Sequence, residues 1–291
     1  MGDTTDTTYD GIEFVIAEPD VELAVQRSGE GPAVLLVGGL GMPSITWDIC
    51  GLPRSLAGAG FQVIKYDARG MSPSSAPAAP YSVADLARDA AAILDHFGAE
   101  RATVVGYSMG CYVAQTLLRI RPELVRALVL FAGLQPSPVG AMVGEMELGL
   151  IERYGEVPRE VVVFEQLLTT LHTPMLQDPA MVQGWRQALS AGYESGWAGP
   201  DGFKGQLAAS QQWITAGEPT PEHLGAIDVP TLVLAFEHDL FFPPALCAAT
   251  ARLIPEAEFA QIDGAGHGGI FTGPGDSVDR ITKFCRAHRG S

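Results

Sequence analysis

The sequence predicts an α/β fold: a mostly parallel sheet with helices on both faces, interrupted by an inserted helical segment. Three observations predict it. Between Ala33 and Ala132, short apolar runs alternate with stretches of helical periodicity, the pattern of successive strand–helix–strand units. Gly106-Tyr107-Ser108-Met109-Gly110 joins a β-rich run to an apolar helix, as a tight strand-to-helix turn does. After Gly133 the rhythm stops, and it resumes only at Val229.

Taken in order, a polar tail beginning Met1-Gly2-Asp3-Thr4-Thr5-Asp6 precedes two strands, Gly11 to Ala17 and Val21 to Gln26. The turn Glu18-Pro19-Asp20 between them makes an antiparallel hairpin. Val34-Leu35-Leu36-Val37 is a buried strand, Leu52 to Ala59 a helix, and Phe61 to Tyr66 the next strand. Val83 to Phe97 is a helix with Ser82 at its N-cap, Asp85 at the capping-box position in place of the usual Glu, and Gly98 as its stop. Ala102 to Val105 leads into the Ser108 turn, Cys111 to Leu118 forms the helix behind it, and Ala127 to Ala132 is the following strand.

Residues 134–226 contain no clear buried strand but include helix-like stretches at Met142 to Tyr154 and Val161 to Leu171, so a helical lid is expected there. The core then consists of residues 1–133 and 227–291. Within the insertion, Trp185, Trp197, Trp213, Phe164, Tyr193 and Phe203 are expected to build the lid's own core and to line an apolar substrate pocket. Glycines at 192, 196, 199, 202 and 205 permit movement. The strand Thr231 to Phe236, a helix from Pro244 to Leu253, the strand Glu258 to Ile262 and a helix from Ser277 to Arg286 complete the alternation. Ser74 to Pro80 reads as a surface loop.

Composition narrows the partners. Asp plus Glu number 34 against 18 Lys plus Arg, a formal charge of −16 that disfavours a grip on nucleic acid. Cys50, Cys111, Cys247 and Cys285 lie far apart without metal-ligand spacing and read as reduced, mostly buried thiols. The acidic N-terminus lacks the charge and apolar run of a signal peptide, and no apolar stretch reaches membrane-spanning length, so a cytoplasmic protein without membrane contact is expected. No Gly-x-Gly-x-x-Gly follows a strand and no phosphate-binding loop occurs, so cofactor-free, metal-free chemistry on a small molecule is expected. The sequence carries no marker of oligomeric state.

The turn at Ser108 points to nucleophilic catalysis, because the helix behind it aims its free N–H groups at the serine. A serine hydroxyl needs a base, and the base needs an orienting carboxylate. Of six histidines, His267 lies in Asp263-Gly264-Ala265-Gly266-His267-Gly268-Gly269 after the last strand, where a mobile glycine-rich backbone presents an imidazole over the sheet edge. The carboxylate is expected at a strand end between the two. Asp239, three residues after Phe236, fits; Glu237 and Asp263 are its rivals, readable instead as a solvated loop carboxylate and a turn cap.

Together these residues resemble the α/β-hydrolase superfamily, in its lidded esterase-like branch, across essentially the whole chain. Asp67-Ala68-Arg69-Gly70, Arg121-Pro122-Glu123 and the Gly266-His267 ending strengthen the resemblance. It implies an eight-stranded sheet. In that family the loop after the first parallel strand usually reads His-Gly-x, and the x residue and the residue after the nucleophile donate backbone N–H groups to the oxyanion. Here the run is Gly38-Gly39-Leu40-Gly41, so the resemblance assigns those donors to Leu40 and Met109, with Gly38 where the family has histidine. The overall style resembles actinobacterial esterases that trim specialised metabolites. The expected activity is hydrolysis of a mid-sized apolar ester, lactone or thioester through an acyl-enzyme on Ser108. Two other readings are a cofactor-free lyase or acyltransferase of polyketide-type metabolism, for example eliminating acetate with His267 as base, and a ligand-binding receptor-like relative.

Overall fold

Eight strands make one sheet: β1 (Glu13–Glu18), β2 (Val21–Ser28), β3 (Ala33–Val37), β4 (Gln62–Tyr66), β5 (Ala102–Tyr107), β6 (Val125–Phe131), β7 (Thr231–Phe236) and β8 (Glu258–Ile262). The computed structural model describes residues 11–273 and 276–290; the acidic N-terminal tail lies outside them. Across the sheet the order is β1-β2-β4-β3-β5-β6-β7-β8. β2 pairs antiparallel with β1 and β4, and every pairing from β4 to β8 is parallel.

The helices are α1 (Thr46–Cys50), α2 (Leu52–Gly58), α3 (Val83–His96), α4 (Gly110–Ile120), α5 (Pro138–Tyr154), α6 (Arg159–Thr170), α7 (Thr173–Leu176), α8 (Pro179–Gly196), α9 (Pro200–Thr215), α10 (Pro221–Gly225), α11 (Pro244–Ala251), α12 (Gly269–Thr272) and α13 (Asp276–Ala287). β3, β5 and β7 are buried along their whole length because helices cover both faces, which is why they read as continuous apolar runs. Alternate residues divide between two core layers. Leu35 and Val37 join Leu86, Ala90, Val113, Leu117 and Ala251 on one face; Val34 and Leu36 join Trp47, Leu56, Ile281 and Phe284 on the other. All four cysteines are free and buried.

Local chemistry fixes several boundaries. Ser82 Oγ accepts from Asp85 N at 3.1 Å, and Asp85 Oδ2 accepts from Ser82 N at 2.7 Å, a complete capping box at the start of α3. Gly98 follows that helix with φ +62°. The buried Arg69 meets Asp89 of α3 through two bonds, of 2.7 and 2.6 Å, which holds the turn after β4 against the core. Ser74 departs from its sequence reading: it is buried, donates to Asp67 O at 2.6 Å and accepts from Ala24 N at 2.8 Å, pinning the start of that loop to the sheet.

Helices α5 to α10 lie between β6 and β7 in the chain. α5 starts at Pro138, earlier than the periodicity suggests, because Ser137 caps it and proline fits its first turn. α8 and α9 escaped the sequence reading because their glycines mimic breakers. Two of those glycines serve close packing: a Cβ on Gly202 would lie 2.3 Å from Gly70 O, and one on Gly205 would lie 2.4 Å from the Tyr81 ring.

The aromatics of this segment are dispersed. Trp213 joins the core layer and stacks on Tyr112 at 5.2 Å, Phe164 is 63% exposed, and Trp197 meets Phe203 edge-on at 5.3 Å. Trp185 is half-buried. The Tyr193 side chain lies outside the described residues. No helix among the described residues is long and apolar enough to cross a membrane.

Candidate active site

Because β3, β5, β7 and β8 run parallel, the loops leaving their carboxyl ends meet at one edge of the sheet, where such folds gather ligand-contacting groups. β5 ends at Tyr107 and α4 begins at Gly110, leaving Ser108 and Met109 to make the turn. Ser108 takes φ +54°, a left-handed conformation that costs on the order of 1 kcal/mol for a residue with a Cβ. Its N–H donates to Phe131 O and its carbonyl accepts from Cys111 N, both at 2.9 Å. The flanking glycines are required by contact. A Cβ on Gly106 would stand 2.4 Å from Gly110 O, one on Gly110 2.2 Å from Val37 O, and one on Gly133 2.2 Å from Ser108 O.

The loop after β8 delivers His267. Its Nε2 lies 3.1 Å from Ser108 Oγ, and its Nδ1 lies 2.8 Å from Asp239 Oδ2. Asp239 has no exposed side-chain surface, and its Oδ1 accepts from Phe241 N at 2.8 Å and Phe242 N at 2.9 Å. With one oxygen held by backbone donors, the other is aimed at Nδ1; the neutral imidazole then carries its proton on Nδ1 and offers a lone pair at Nε2. The rival carboxylates go elsewhere: Glu237 accepts from Gly264 N at 2.8 Å and Asp263 from Gln261 Nε2 at 2.8 Å.

Rings of Tyr107 and Phe242 stack near the imidazole at 5.5 and 5.6 Å, with Phe241 edge-on at 5.1 Å. The Tyr107 hydroxyl donates to His267 O, and burial pushes its pKa well up, so it stays a donor. The glycines of the histidine loop also serve close packing. Gly266 and Gly268 let the end of α6 approach, so that His267 N donates to Thr169 O and Gly268 N to Thr170 O, each at 3.2 Å. A Cβ on Gly268 would lie 2.1 Å from Thr170 Cγ2.

The Gly38–Gly41 loop lies directly against the serine, with the Cβ position of Gly39 only 3.0 Å from Ser108 Cβ. Met42 N donates to Gly39 O at 3.2 Å, and Gly41 N donates to Gln206 Oε1 of α9 at 2.9 Å. Among the described residues, neither Leu40 N nor Met109 N donates to a protein acceptor. Two backbone donors are thus left without a protein acceptor, one on the residue after Ser108 and one in the loop that packs against it. Phe241, Phe242, Thr169, Thr170 and Gln206 are the contributors that the sequence reading missed. Only the Asp-x-Phe-Phe run carried a local signal, an aspartate whose side chain turns back on the amides that follow it.

Two carboxyls of the inserted helices complete the electrostatics. Burial pushes Glu165 of α6 up to about 7 against an opposing pull from His267, and burial with repulsion from Glu165 pushes Glu147 of α5 up to about 8. Folding therefore favours protonated Glu147. Below pH 4.5, its ordinary value, folded and unfolded chains both hold the proton and nothing is lost; as pH rises toward 8 the unfolded chain ionises first and stability falls. Glu147→Gln removes that penalty. Its melting temperature is expected to exceed the wild type's by roughly 3–8 °C at pH 8.5 and to match it within about 1 °C at pH 4.5. Equal melting at pH 8.5 would show that the carboxyl is ionised without cost. Among the described residues, no group of three or more His, Cys, Asp or Glu is placed to hold a metal ion.

A family model described as the alpha/beta hydrolase fold matches residues 32–274. BpoC of Mycobacterium tuberculosis, named for a non-heme bromoperoxidase, is 29% identical over 267 residues, covering 91% of this chain and 97% of its own. Its crystal structure is similar with a TM-score of 0.79, at 27% identity over 92% of this chain and 97% of that one. RutD of Variovorax paradoxus, named for carbamate hydrolysis, is 30% identical over 226 residues, 75% of this chain and 78% of its own. A thermophilic esterase from Thermogutta terrifontis shares the fold, with a TM-score of 0.77 at 24% identity over 97% of this chain and all of that one (100%).

Proposed function

This chain belongs to the α/β-hydrolase fold family, and from that premise we propose that it cleaves a mid-sized apolar ester, lactone or thioester through an acyl-enzyme on Ser108. It is an enzyme of hydrolase type. The observation that carries the finer reading is the hydrogen-bonded line from Ser108 Oγ through His267 to Asp239, at 3.1 and 2.8 Å. In the first step His267 Nε2 takes the Ser108 proton as Oγ attacks the acyl carbon. The resulting oxyanion accepts from Leu40 N and Met109 N, each donor supplying about 3 kcal/mol at the transition state. The intermediate collapses as the imidazolium gives its proton to the departing alkoxide or thiolate. His267 then deprotonates water, which attacks the acyl-enzyme; as the acyl–Oγ bond breaks, the imidazolium returns its proton to Ser108 Oγ and the acid is released.

Asp239 holds the imidazole tautomer throughout, and the stacked Tyr107 and Phe242 rings limit rotation of the imidazole. In this reading the inserted helices serve as the lid over residues 1–133 and 227–291, closing the site from α6 and α9. The name of the carbamate-hydrolase relative accords with attack on an acyl carbonyl. A stopped-flow series on p-nitrophenyl esters from acetate to octanoate tests the proposal. It predicts a burst near one equivalent of p-nitrophenol per chain and, in heavy-oxygen water, label in the released acid. Absence of both burst and turnover across the series would overturn it, and a burst without label in the acid would replace hydrolysis with transfer.

A further inference from the structure

The loop that supplies Leu40 N has no side-chain tether of its own. A Cβ on Gly38 would already sit 3.2 Å from Met42 O and 3.4 Å from Met42 Cβ, so this position is closely packed as glycine. The tether comes instead from α9, a helix of the insertion. Gln206, with no exposed surface, accepts from Gly41 N at 2.9 Å and donates through Nε2 to Arg69 O at 2.9 Å. Both ends of the amide are used by partners of opposite kind, so its orientation is fixed by the hydrogen bonds themselves.

The surrounding contacts keep that arm in place. Gly202 packs on Gly70, Ala198 N donates to Gly70 O and Ser72 N to Gly196 O, each at 2.9 Å, and the Trp197 ring lies over Gly41, 2.8 Å from its Cβ position. The Leu40 N–H belongs to the Gly39–Leu40 peptide, whose carbonyl accepts from Met42 N at 3.2 Å, and the Gln206 bond to Gly41 N holds the next peptide plane. Leu40 is thus gripped from both sides, and release of the Gly41 side frees its backbone to turn the N–H.

We propose that Gln206 is a positioning residue of the oxyanion hole: it aims Leu40 N from the inserted helix α9 through the Gly41 peptide, the tethering role that the sequence of the loop itself lacks. The proposal rests on the assignment of Ser108 and Leu40 above. An oxyanion donor is worth roughly 10²- to 10³-fold in kcat, and a shift near 1 Å costs about 10²-fold, so loss of the tether is expected to lower kcat about 10- to 100-fold.

The test uses Gln206→Met, which keeps the volume, and Gln206→Asn, which shortens the amide. Both are compared with wild type for ester kcat and KM, for the rate of serine phosphonylation by a fluorophosphonate, and for the inhibition constant of an uncharged ether analogue of the ester. Positioning predicts that kcat and the phosphonylation rate fall together, since both build charge on an oxygen in the hole. KM and the ether's inhibition constant should stay within about threefold. Parallel changes in all four quantities, or failure of both variants to reach the wild-type circular dichroism, would make Gln206 a structural residue and overturn the proposal. So would unchanged rates in variants of a wild type that does label at Ser108. A wild type that never labels at Ser108 would instead overturn the assignment on which it rests.

Discussion

Ser108→Ala is expected to lower kcat for ester hydrolysis by about 10⁴- to 10⁶-fold while the chain folds as before. The two expectations come from different parts of the turn. Alanine keeps the Cβ, so the left-handed backbone at φ +54° is no more strained than with serine, and the bonds from residue 108 to Phe131 O and from Cys111 N are backbone bonds that survive. Only Oγ and its 3.1 Å contact with His267 disappear. Melting within about 2 °C of wild type, with only background turnover, is the predicted pair of results, checked by calorimetry and by initial rates on a short-chain ester. Turnover within tenfold of wild type would move the nucleophile elsewhere.

Asp239→Asn is expected to cost about 10⁴-fold in kcat with little change in KM. The asparagine oxygen can still accept from Phe241 N and Phe242 N, so the loop geometry is retained. Its amide nitrogen then faces His267 Nδ1, which must become the acceptor. The ring proton moves to Nε2 and points at Ser108, and the base can no longer take the hydroxyl proton. Because Asp239 is wholly buried, water cannot substitute for the lost carboxylate. A matched measurement on Glu237→Gln, whose carboxylate holds Gly264 N and not the imidazole, is expected to stay within about tenfold of wild type. Equal losses in the two variants would place the orienting acid wrongly.

How much of this was legible depended on whether the information was local. β7 begins and ends where the sequence places it, because a buried apolar run with abrupt ends leaves little choice. β8 matches its expected bounds too, although of its five residues only Ile262 is buried. The start of α3 was equally clear, since its capping box lies within four residues of chain. Ser108, Asp239 and His267 stand at the ends of three parallel strands, so reading the strands in order was enough to bring them to one edge.

The contributions that escaped depend on segments remote in sequence touching one another. Gln206 meets a glycine 165 positions away, and nothing in its own neighbourhood marks it. Gly202, Gly205, Gly266 and Gly268 looked like sources of flexibility because the sequence shows a missing side chain, not the backbone or ring that fills its place. The aromatics of the insertion were similarly ambiguous: only packing separates Trp213, stacked on Tyr112, from the exposed Phe164.

The measurement that bears most directly on the Ser108–His267–Asp239 assignment is intact mass spectrometry after treatment with a fluorophosphonate. Wild type, Ser108→Ala and His267→Ala are compared at equal time and concentration. An activated serine predicts one phosphonyl adduct per wild-type chain, placed on the Ser108 peptide, with none on Ser108→Ala and labelling slowed by several orders of magnitude on His267→Ala. An unlabelled wild type, or equal labelling of Ser108→Ala, would contradict it.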